Sequence, residues 1–241
     1  MGKSALRLVK RYFSGTPLHP QWLIFRDNYQ SISRHKKYLK GKVLDIGCGQ
    51  ADVKKYLESD TEYIGLDYYY TSVNWYDSFP DIYGNAMQLP LADNSVDTVL
   101  LLDVLEHLPS SEECISEIYR SLKPGGTFLL QVPFIYPIHD APLDFKRWTK
   151  YGLQKILQQY NFEIVEERVQ GQPAETSILL LNLALGKLLL NSFRNKNPLL
   201  IFIPAYPLIV LIMNLLAVVT TVIAPKDNFM PFGYRIIAIK K

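Results

Sequence analysis

The sequence predicts an α/β protein in which a doubly wound, mostly parallel β-sheet carries helices on both faces. Short apolar runs of strand length alternate with amphipathic helical patterns through the middle of the chain, and this alternation is typical of a parallel sheet. The composition also supports a folded chain, because 48% of the 241 residues are hydrophobic and 20% are charged. These fractions exclude disordered and collagen-like chains.

The elements can be predicted in order from hydrophobic periodicity and turn residues. Strands are predicted at 42–46, 63–66, 96–102, 127–132 and 162–169, with a final strand at 234–240. Helices are predicted at 22–39, 53–58, 111–122 and 149–159, and Thr149 is the expected N-cap of the last of these. No internal repeat interrupts this order, so the elements form one α/β domain with additions.

The cysteine and histidine content predicts neither a disulfide framework nor a metal site. Cys48 and Cys114 are the two cysteines, and a pair so far apart indicates a reducing compartment. The spacing of the four histidines is not typical of zinc ligands, and they are His19, His35, His107 and His139. We therefore expect a cytoplasmic protein without a bound metal.

The net charge of +3 hides three unlike segments. Residues 1–42 carry ten Lys/Arg and one acid, residues 43–171 carry nine Lys/Arg and twenty acids, and residues 172–241 carry seven Lys/Arg and two acids. Basic ends of this kind favour a membrane or another polyanion as partner. The acidic middle would repel phosphates, so nucleic acid is not an expected partner.

The first 40 residues are predicted to form basic N-terminal helices. Residues 3–13 place apolar side chains on one helical stripe and three basic residues mostly opposite. Two interpretations stay open for this helix. It either anchors the protein to a membrane surface or covers part of the core.

A glycine turn follows the first strand and carries the chemistry of the predicted site. Gly47 and Gly49 allow a ligand to approach the backbone closely, and Asp67 ends the next strand, where an acid can accept both hydroxyls of a ribose. Asp52 stands where a dinucleotide fingerprint would have glycine, and it would repel a pyrophosphate. Asp45 suits a ligand with a positive amino group, so an amino acid joined to a nucleoside fits best.

Four motifs follow one another over residues 41–171: VLDIGCGQADV, IGLDYY, GNAMQLPLADNSVDTVLLLDVLEHL and LKPGGTFLLQVP. In this order they resemble the class I S-adenosylmethionine-dependent methyltransferases, and among these the type-11 group. The resemblance implies a Rossmann-like sheet of seven strands whose last strand is antiparallel. It also implies that S-adenosyl-L-methionine binds at the carboxyl ends of the first strands, as the switch point of an open α/β sheet independently predicts.

The resemblance assigns individual residues to the cofactor. They are Asp45, Gly47, Cys48, Gly49, Asp67, Tyr68, Asn85, Ala86, Asp103 and Val104. The glycine turn would line the methionine portion, and Asp45 would lie under its ammonium group. Asp67 would take the ribose hydroxyls, and Tyr68 would pack on the adenine. Asn85 replaces the acid that is common at its position, although its carbonyl can still accept from the adenine amine. Asp103 and Val104 would face the methionine and the methyl group.

Three residues are candidates for contact with the methyl acceptor: His107, His139 and Asp140. His107 follows the fourth strand, where it either acts as a base or closes a helical turn. His139 and Asp140 begin a polar, aromatic loop that resembles a D-x-x-R-[FYW]-T element of the family. In that element Asp144 and Arg147 are expected to form an ion pair.

An apolar helical insert is predicted at 172–231, between the last two strands of a methyltransferase domain that covers 41–171 and 232–241. Residues 176–193 contain one charge and residues 197–225 contain none. The final strand must return to the sheet, so the insert crosses a bilayer an even number of times or not at all. Three alternatives stay open: a hairpin dipped into one leaflet, two spanning helices, and a soluble cap or dimer interface.

The leading hypothesis is a membrane-associated methyltransferase that holds the membrane through 176–224 and acts on an amphiphilic acceptor, such as a quinone precursor, a lipid or a lipid-linked glycan. One alternative is a methyltransferase for a soluble small molecule, with the insert as a lid or dimer contact. Another is a non-catalytic module that binds S-adenosyl-L-methionine. The oligomeric state stays open.

Overall fold

The computed structural model describes residues 13–241, so nearly all of the helix predicted at 3–13 lies outside the described residues. The chain divides into two compact units. The first comprises Ile32–Val169 and Gly233–Lys241, and the second comprises Gln170–Phe232 together with the described residues 13–31. The first unit carries the sheet, and the second carries the predicted insert.

Seven strands form one sheet, which confirms the predicted fold class. They are β1 (Lys42–Ile46), β2 (Glu62–Asp67), β3 (Ile82–Tyr83), β4 (Val96–Leu102), β5 (Leu122–Pro133), β6 (Phe162–Gln170) and β7 (Gly233–Lys240). Their order is β3-β2-β1-β4-β5-β7-β6. β1 pairs in parallel with β2 and β4, whereas β7 runs antiparallel to β5, as the family resemblance implied.

Among the described residues, the helices of ten residues or more are α1 (Trp22–His35), α2 (Ser111–Ser121), α3 (Lys150–Gln159), α4 (Pro173–Arg194) and α5 (Tyr206–Ile223). The helix predicted at 53–58 is wrong, because only a 3-10 turn forms over Asp52–Tyr56. So short a segment makes too few hydrogen bonds to offset the cost of helix nucleation. The predicted N-cap Thr149 is confirmed, since its side chain accepts from Gly152 N at 3.1 Å.

The core of the first unit lies on both faces of the central strands. Val43, Leu44 and Ile46 of β1 are at most 1% exposed, so side chains on both faces of the strand are buried. This is the pattern of a parallel strand covered on two faces. It explains why β1 and β4 appear in the sequence as mainly apolar runs of strand length.

The second unit holds α4 and α5, which contact each other through buried polar groups. Asn182 Nδ2 donates to Asn214 Oδ1 at 3.1 Å, and Tyr206 Oη donates to Asn182 O at 2.7 Å. Asn214 Nδ2 also donates to Pro17 O and His19 O, at 2.7 and 3.1 Å. The two apolar helices are therefore fixed to each other, and to the segment before α1, by these hydrogen bonds, although Asn182 Oδ1 is buried without a partner among the described residues.

Much of the apolar surface of these two helices is exposed. In α4 33% of the most apolar stretch is buried, and in the stretch from Pro198 to Ile223 the buried share is 11%. Both helices have the length and composition of a membrane span. The α5 helix alone, with 18 residues, is about 27 Å long.

Candidate active site

A cavity of about 450 Å³ opens at the carboxyl ends of β1, β2 and β4. The predicted cofactor residues that line it are Gly47, Gly49, Asp67, Tyr68, Asn85, Ala86, Asp103 and Val104. Of the three residues predicted to contact the methyl acceptor, His107 and Asp140 line the cavity. A cavity of this size is typical of a small-molecule site, and it lies where the sheet topology predicts one.

In the turn after β1, Val104 fills the space that a side chain at Gly47 would occupy, whereas the space beside Gly49 is open. Gly47 has φ +72°, and a Cβ built on it would lie 2.3 Å from Val104 Cγ2. Gly49 has φ +51°, and nothing lies within 4 Å of a Cβ built there. Position 47 is therefore closed to a side chain, whereas position 49 leaves open space along the cavity.

Asp67 organises the same turn from the end of β2. Its Oδ2 accepts from Gly49 N at 2.9 Å, and its Oδ1 accepts from Tyr68 N at 2.7 Å. Thr71 Oγ1 also donates to Oδ1, over a long 3.5 Å. Oδ2 keeps a lone pair, and a ligand hydroxyl can replace the long contact from Thr71, so the residue remains able to bind a pair of ribose hydroxyls. Tyr68 is 55% exposed, which leaves its ring available to a planar group in the cavity.

Asn85 and Ala86 stand together on the wall of the cavity. Asn85 Oδ1 accepts from Met87 N at 2.9 Å, which fixes the amide and presents Asn85 to the cavity. Ala86 is buried. The carbonyl oxygen keeps a second lone pair for a ligand amine, so the predicted contact with adenine is chemically possible at this position.

Asp45 and Cys48 do not line the cavity. Asp45 Oδ2 accepts from Tyr63 Oη at 2.7 Å, and burial raises the pKa of Asp45 to about 7. Burial and the nearby carboxylates raise the pKa of the Cys48 thiol to about 12, which keeps this thiol protonated and unreactive. The contacts predicted between these two residues and the methionine portion stay a prediction.

Asp103 follows β4 and is held by a chain of side chains from two neighbouring strands. Gln131 Nε2 donates to Asp103 Oδ2 at 2.6 Å, and Arg235 Nη2 donates to Gln131 Oε1. Asp103 has φ +56°, a backbone conformation that is uncommon for residues with side chains. Burial raises the pKa of its carboxyl. This series of hydrogen bonds places the polar but shielded carboxyl of Asp103 on the cavity wall.

Two predicted acceptor residues, His107 and His139, lie side by side although 32 positions separate them. Their rings are 4.8 Å apart in an edge-to-face arrangement. His107 Nδ1 lies 2.8 Å from Leu143 O. Phe145 N donates to Glu106 O at 2.9 Å, which fixes the loop against the 3-10 turn of Leu105–His107. His107 lines the cavity, whereas His139 is not among the residues that line it.

Asp140 lines the cavity and accepts a short hydrogen bond from Tyr76 Oη. Tyr76 comes from the helical segment after β2, and burial followed by this hydrogen bond raises the pKa of its phenol. The pair closes one side of the cavity. Sequence reasoning selected Asp140 but missed Tyr76, whose only signal was its place in an aromatic run.

The ion pair predicted between Asp144 and Arg147 is confirmed. Arg147 Nη1 and Nη2 donate to the two carboxylate oxygens of Asp144, at 2.5 and 2.8 Å. The pair lowers the pKa of Asp144 to about 2, and Asp144 Oδ2 also accepts from His139 N at 2.9 Å. Arg147 and Asp144 therefore hold the loop that carries His139.

Glu106 is the main residue of this region that sequence reasoning did not select. Its side chain is fully buried, and neither carboxylate oxygen has a hydrogen-bond partner among the described residues. Burial is the main cause that raises the pKa of Glu106 to about 9, and the charge of Asp103 is the second. The only sequence signal was its place beside His107, because the packing that buries it depends on the distant loop.

Comparisons with known proteins agree with the motifs. Residues 44–130 match the family model described as a methyltransferase domain. A probable S-adenosylmethionine-dependent methyltransferase of Mycolicibacterium smegmatis is 34% identical over 139 residues, which are 51% of this chain and 52% of that protein. A sterol 24-C-methyltransferase of Neurospora crassa is 35% identical over 122 residues, which are 42% of this chain and 32% of that protein. The chain spans about half the length, or less, of these curated relatives.

Solved structures share the fold. A methyltransferase from Archaeoglobus fulgidus that depends on S-adenosylmethionine matches with a TM-score of 0.54 at 19% identity, over 91% of this chain and 99% of that chain. At this identity the likeness concerns the fold alone. Sequence matches and fold agree, and residues 44–130 of this chain belong to the methyltransferase domain family.

Proposed function

We propose that this protein transfers a methyl group from S-adenosyl-L-methionine to an amphiphilic acceptor while it is associated with a membrane. The observation that carries the transfer is the cavity at the ends of β1, β2 and β4, with Gly47, Gly49 and Asp67 on its wall. The observation that carries the membrane association is the exposed apolar surface of α4 and α5.

The residues present fit the cofactor. The turn at Gly47 and Gly49 gives room for close approach of a ligand, and Asp67 retains acceptor capacity for a diol. When bound, S-adenosyl-L-methionine supplies a methyl group already activated by a sulfonium. The protein therefore has mainly to position the acceptor and exclude water, which suits a cavity lined by apolar side chains such as Leu102, Val104 and Leu108.

His107 is our candidate for the residue that takes a proton from the acceptor. If its Nδ1–H donates to Leu143 O, the lone pair lies on Nε2. His107 is also the one histidine among the residues that line the described cavity. His139 and Asp140 would act beside it, His139 by packing against its ring and Asp140 by polar contact with the acceptor.

An amphiphilic acceptor is supported by two independent features. Several matched relatives are by name sterol 24-C-methyltransferases, and a sterol is a lipid. In this chain α5 exposes large apolar side chains, with Ile212 and Leu216 each about half exposed. Exposed apolar surface on this scale marks contact with a membrane or a protein, and a membrane would deliver a lipid acceptor.

Transfer of label from S-adenosyl-L-methionine with a deuterated methyl group tests the proposal. The purified full chain is incubated with separate lipid and water-soluble extracts of its native cells, and products are detected by mass spectrometry. We expect a mass increase in the lipid or glycolipid fraction that the Asp67→Ala variant produces at least tenfold more slowly. Label only in water-soluble products would support the small-molecule alternative, and no label at all would support the non-catalytic module.

A further inference from the structure

We propose that Glu106, His107 and His139 form a site for a divalent transition-metal ion beside the cofactor cavity. One carboxylate oxygen and two imidazole nitrogens lie within 4.8 Å of one another. Glu106 Oε1 lies 3.8 Å from Nε2 of His107 and 3.8 Å from Nε2 of His139. Glu106 Oε1 is thus equally distant from the Nε2 atoms of the two rings.

Both rings are oriented as metal ligands are. Metal-binding histidines usually donate their second N–H to a backbone carbonyl or a carboxylate, which leaves the other nitrogen for the ion. His107 Nδ1 lies 2.8 Å from Leu143 O. His139 Nδ1 lies 3.3 Å from Pro137 O, its hydrogen-bond partner, and 3.3 Å from Asp144 Oδ2. Each Nε2 lone pair is then directed to the side on which Glu106 lies. Arg147 holds Asp144 in place, so the orientation of the second ring has its own support.

The burial of Glu106 is the independent observation that indicates a ligand. Its carboxylate is inaccessible to solvent, and both oxygens lack a hydrogen-bond partner among residues 13–241. A buried polar group without a partner is costly, and a buried charge is normally paired or bound to a metal. A cation between the carboxylate and the two imidazoles would supply the missing partner.

The donor set defines the class of metal. Two imidazole nitrogens and one carboxylate oxygen suit zinc and the other first-row divalent ions, whereas calcium and magnesium prefer oxygen ligands alone. Metal–nitrogen bonds of about 2.0–2.1 Å put ligand atoms about 3.3 Å apart in a tetrahedral site. The two separations of 3.8 Å between the carboxylate oxygen and the imidazole nitrogens would therefore have to shorten by a few tenths of an ångström. The two imidazole nitrogens, which lie within 4.8 Å of each other, would have to approach by up to about 1.5 Å.

Three protein ligands leave at least one coordination position open. His107 belongs to both the cluster and the cavity wall, so an open position on the cavity side could take an oxygen of the methyl acceptor. This role rests on the proposed function, since a metal would polarise an acceptor hydroxyl and ease loss of its proton. Binding of the ion itself does not depend on methyl transfer.

Calorimetry on the full chain, freed of metal with a chelator, tests the site. Zn²⁺ is titrated as the probe, and Co²⁺ is titrated in parallel with visible absorption as the signature of nitrogen and oxygen ligation. We expect one ion per chain. The variants His139→Ala and Glu106→Gln should each weaken the binding at least tenfold. Asp144→Asn, which weakens the contacts that hold the loop and the ring of His139, should weaken it about 10- to 100-fold.

His19→Gln is the matched control, because His19 lies outside the cluster and should leave metal binding unchanged. Thermal unfolding of every variant shows whether it is folded. The proposal is overturned if the wild-type chain binds no ion stoichiometrically, or if binding survives in folded His139→Ala. Titration with S-adenosyl-L-methionine separates the two claims, since failure to bind the metal with the cofactor still bound contradicts the metal site alone.

Discussion

At the scale of single residues, Val104 leaves no room for a side chain at position 47. A Cβ at Gly47 would lie 2.3 Å from Val104 Cγ2, and the backbone there has φ +72°. The two constraints act together, because the left-handed conformation disfavours any side chain and the space is already filled. Gly49 shares the first constraint but not the second, so the two glycines of one turn form a matched pair.

We expect Gly47→Ala to lower the free energy of unfolding by about 1–3 kcal/mol more than Gly49→Ala does, which is the usual cost of overpacking. Gly47→Ala should also weaken binding of S-adenosyl-L-methionine, because relief of the clash moves Val104 on the cavity wall. Urea unfolding measures the first effect and calorimetry the second. Equal losses of stability in the two variants would contradict the packing described for Val104.

The buried carboxyl of Asp45 gives a second prediction at this scale. Its pKa in the folded protein is raised to about 7, so between about pH 4 and 7 the folded chain holds a proton that the unfolded chain has lost. This group therefore makes the free energy of unfolding fall as pH rises through that window. The size is of the order of 1–4 kcal/mol, given that one pKa unit is about 1.4 kcal/mol.

Asp45→Asn should remove that dependence, because an amide is neutral at every pH and its oxygen can still accept from Tyr63 Oη. The variant should be more stable than the wild type at pH 8 and about equally stable at pH 4. Urea unfolding at both values measures the difference. A wild-type slope retained in the variant would show that Asp45 does not carry the dependence.

At the scale of elements, α4 and α5 depend on two buried asparagines in otherwise apolar helices. Asn214 makes three hydrogen bonds through its side chain, whereas the side chain of Asn182 makes one to Asn214. Removal of a partner leaves buried polar groups unsatisfied, at about 1–3 kcal/mol for each group. The position of each asparagine in the helix pair should therefore set the cost of replacing it.

We expect Asn214→Leu to lower the unfolding temperature of this unit more than Asn182→Leu does. Leu215→Ala serves as a control, because Leu215 is adjacent in α5 and 48% exposed. Thermal unfolding in a mild detergent, followed by circular dichroism, gives the order. A loss in Asn182→Leu as large as that in Asn214→Leu would contradict the role assigned to the bonds with Pro17 and His19.

Six of the seven strands were predictable, but the two-residue strand β3 and the cluster around Glu106 were not, for a physical reason. Strand β1 has a continuous buried run that ends in glycine and appears in the sequence as it does in the fold. Glu106 and His139 come together because a loop hydrogen-bonds to a 3-10 turn through Phe145 N and Leu143 O. Such contacts depend on tertiary packing, and histidine spacing along the chain contains no trace of them.

At the scale of the whole molecule, the charge and hydropathy of the chain predict how it partitions. The apolar helices lie in one compact unit and the acidic methyltransferase domain in the other. We expect the full chain to float with vesicles that contain anionic lipid. The double variant Ile212→Asp and Leu216→Asp should lose this binding, because a carboxylate within a bilayer costs about 2.5–3.5 kcal/mol.

Val165→Asp is the control for flotation, since Val165 is 47% exposed on β6 and lies outside the apolar helices. It should float as the wild type does. A wild-type chain that stays with the soluble fraction, with or without vesicles, would contradict the membrane association and favour the lid or dimer alternative for the insert.

The cavity at the ends of β1, β2 and β4 carries the central claim, and calorimetric titration of the full chain with S-adenosyl-L-methionine tests it most directly. We expect one molecule bound per chain and an affinity at least tenfold weaker in Asp67→Ala, since Asp67 both holds Gly49 N and offers acceptors for the ribose. Absence of binding heat in a folded wild-type chain at millimolar ligand would contradict the assignment of this cavity to the cofactor.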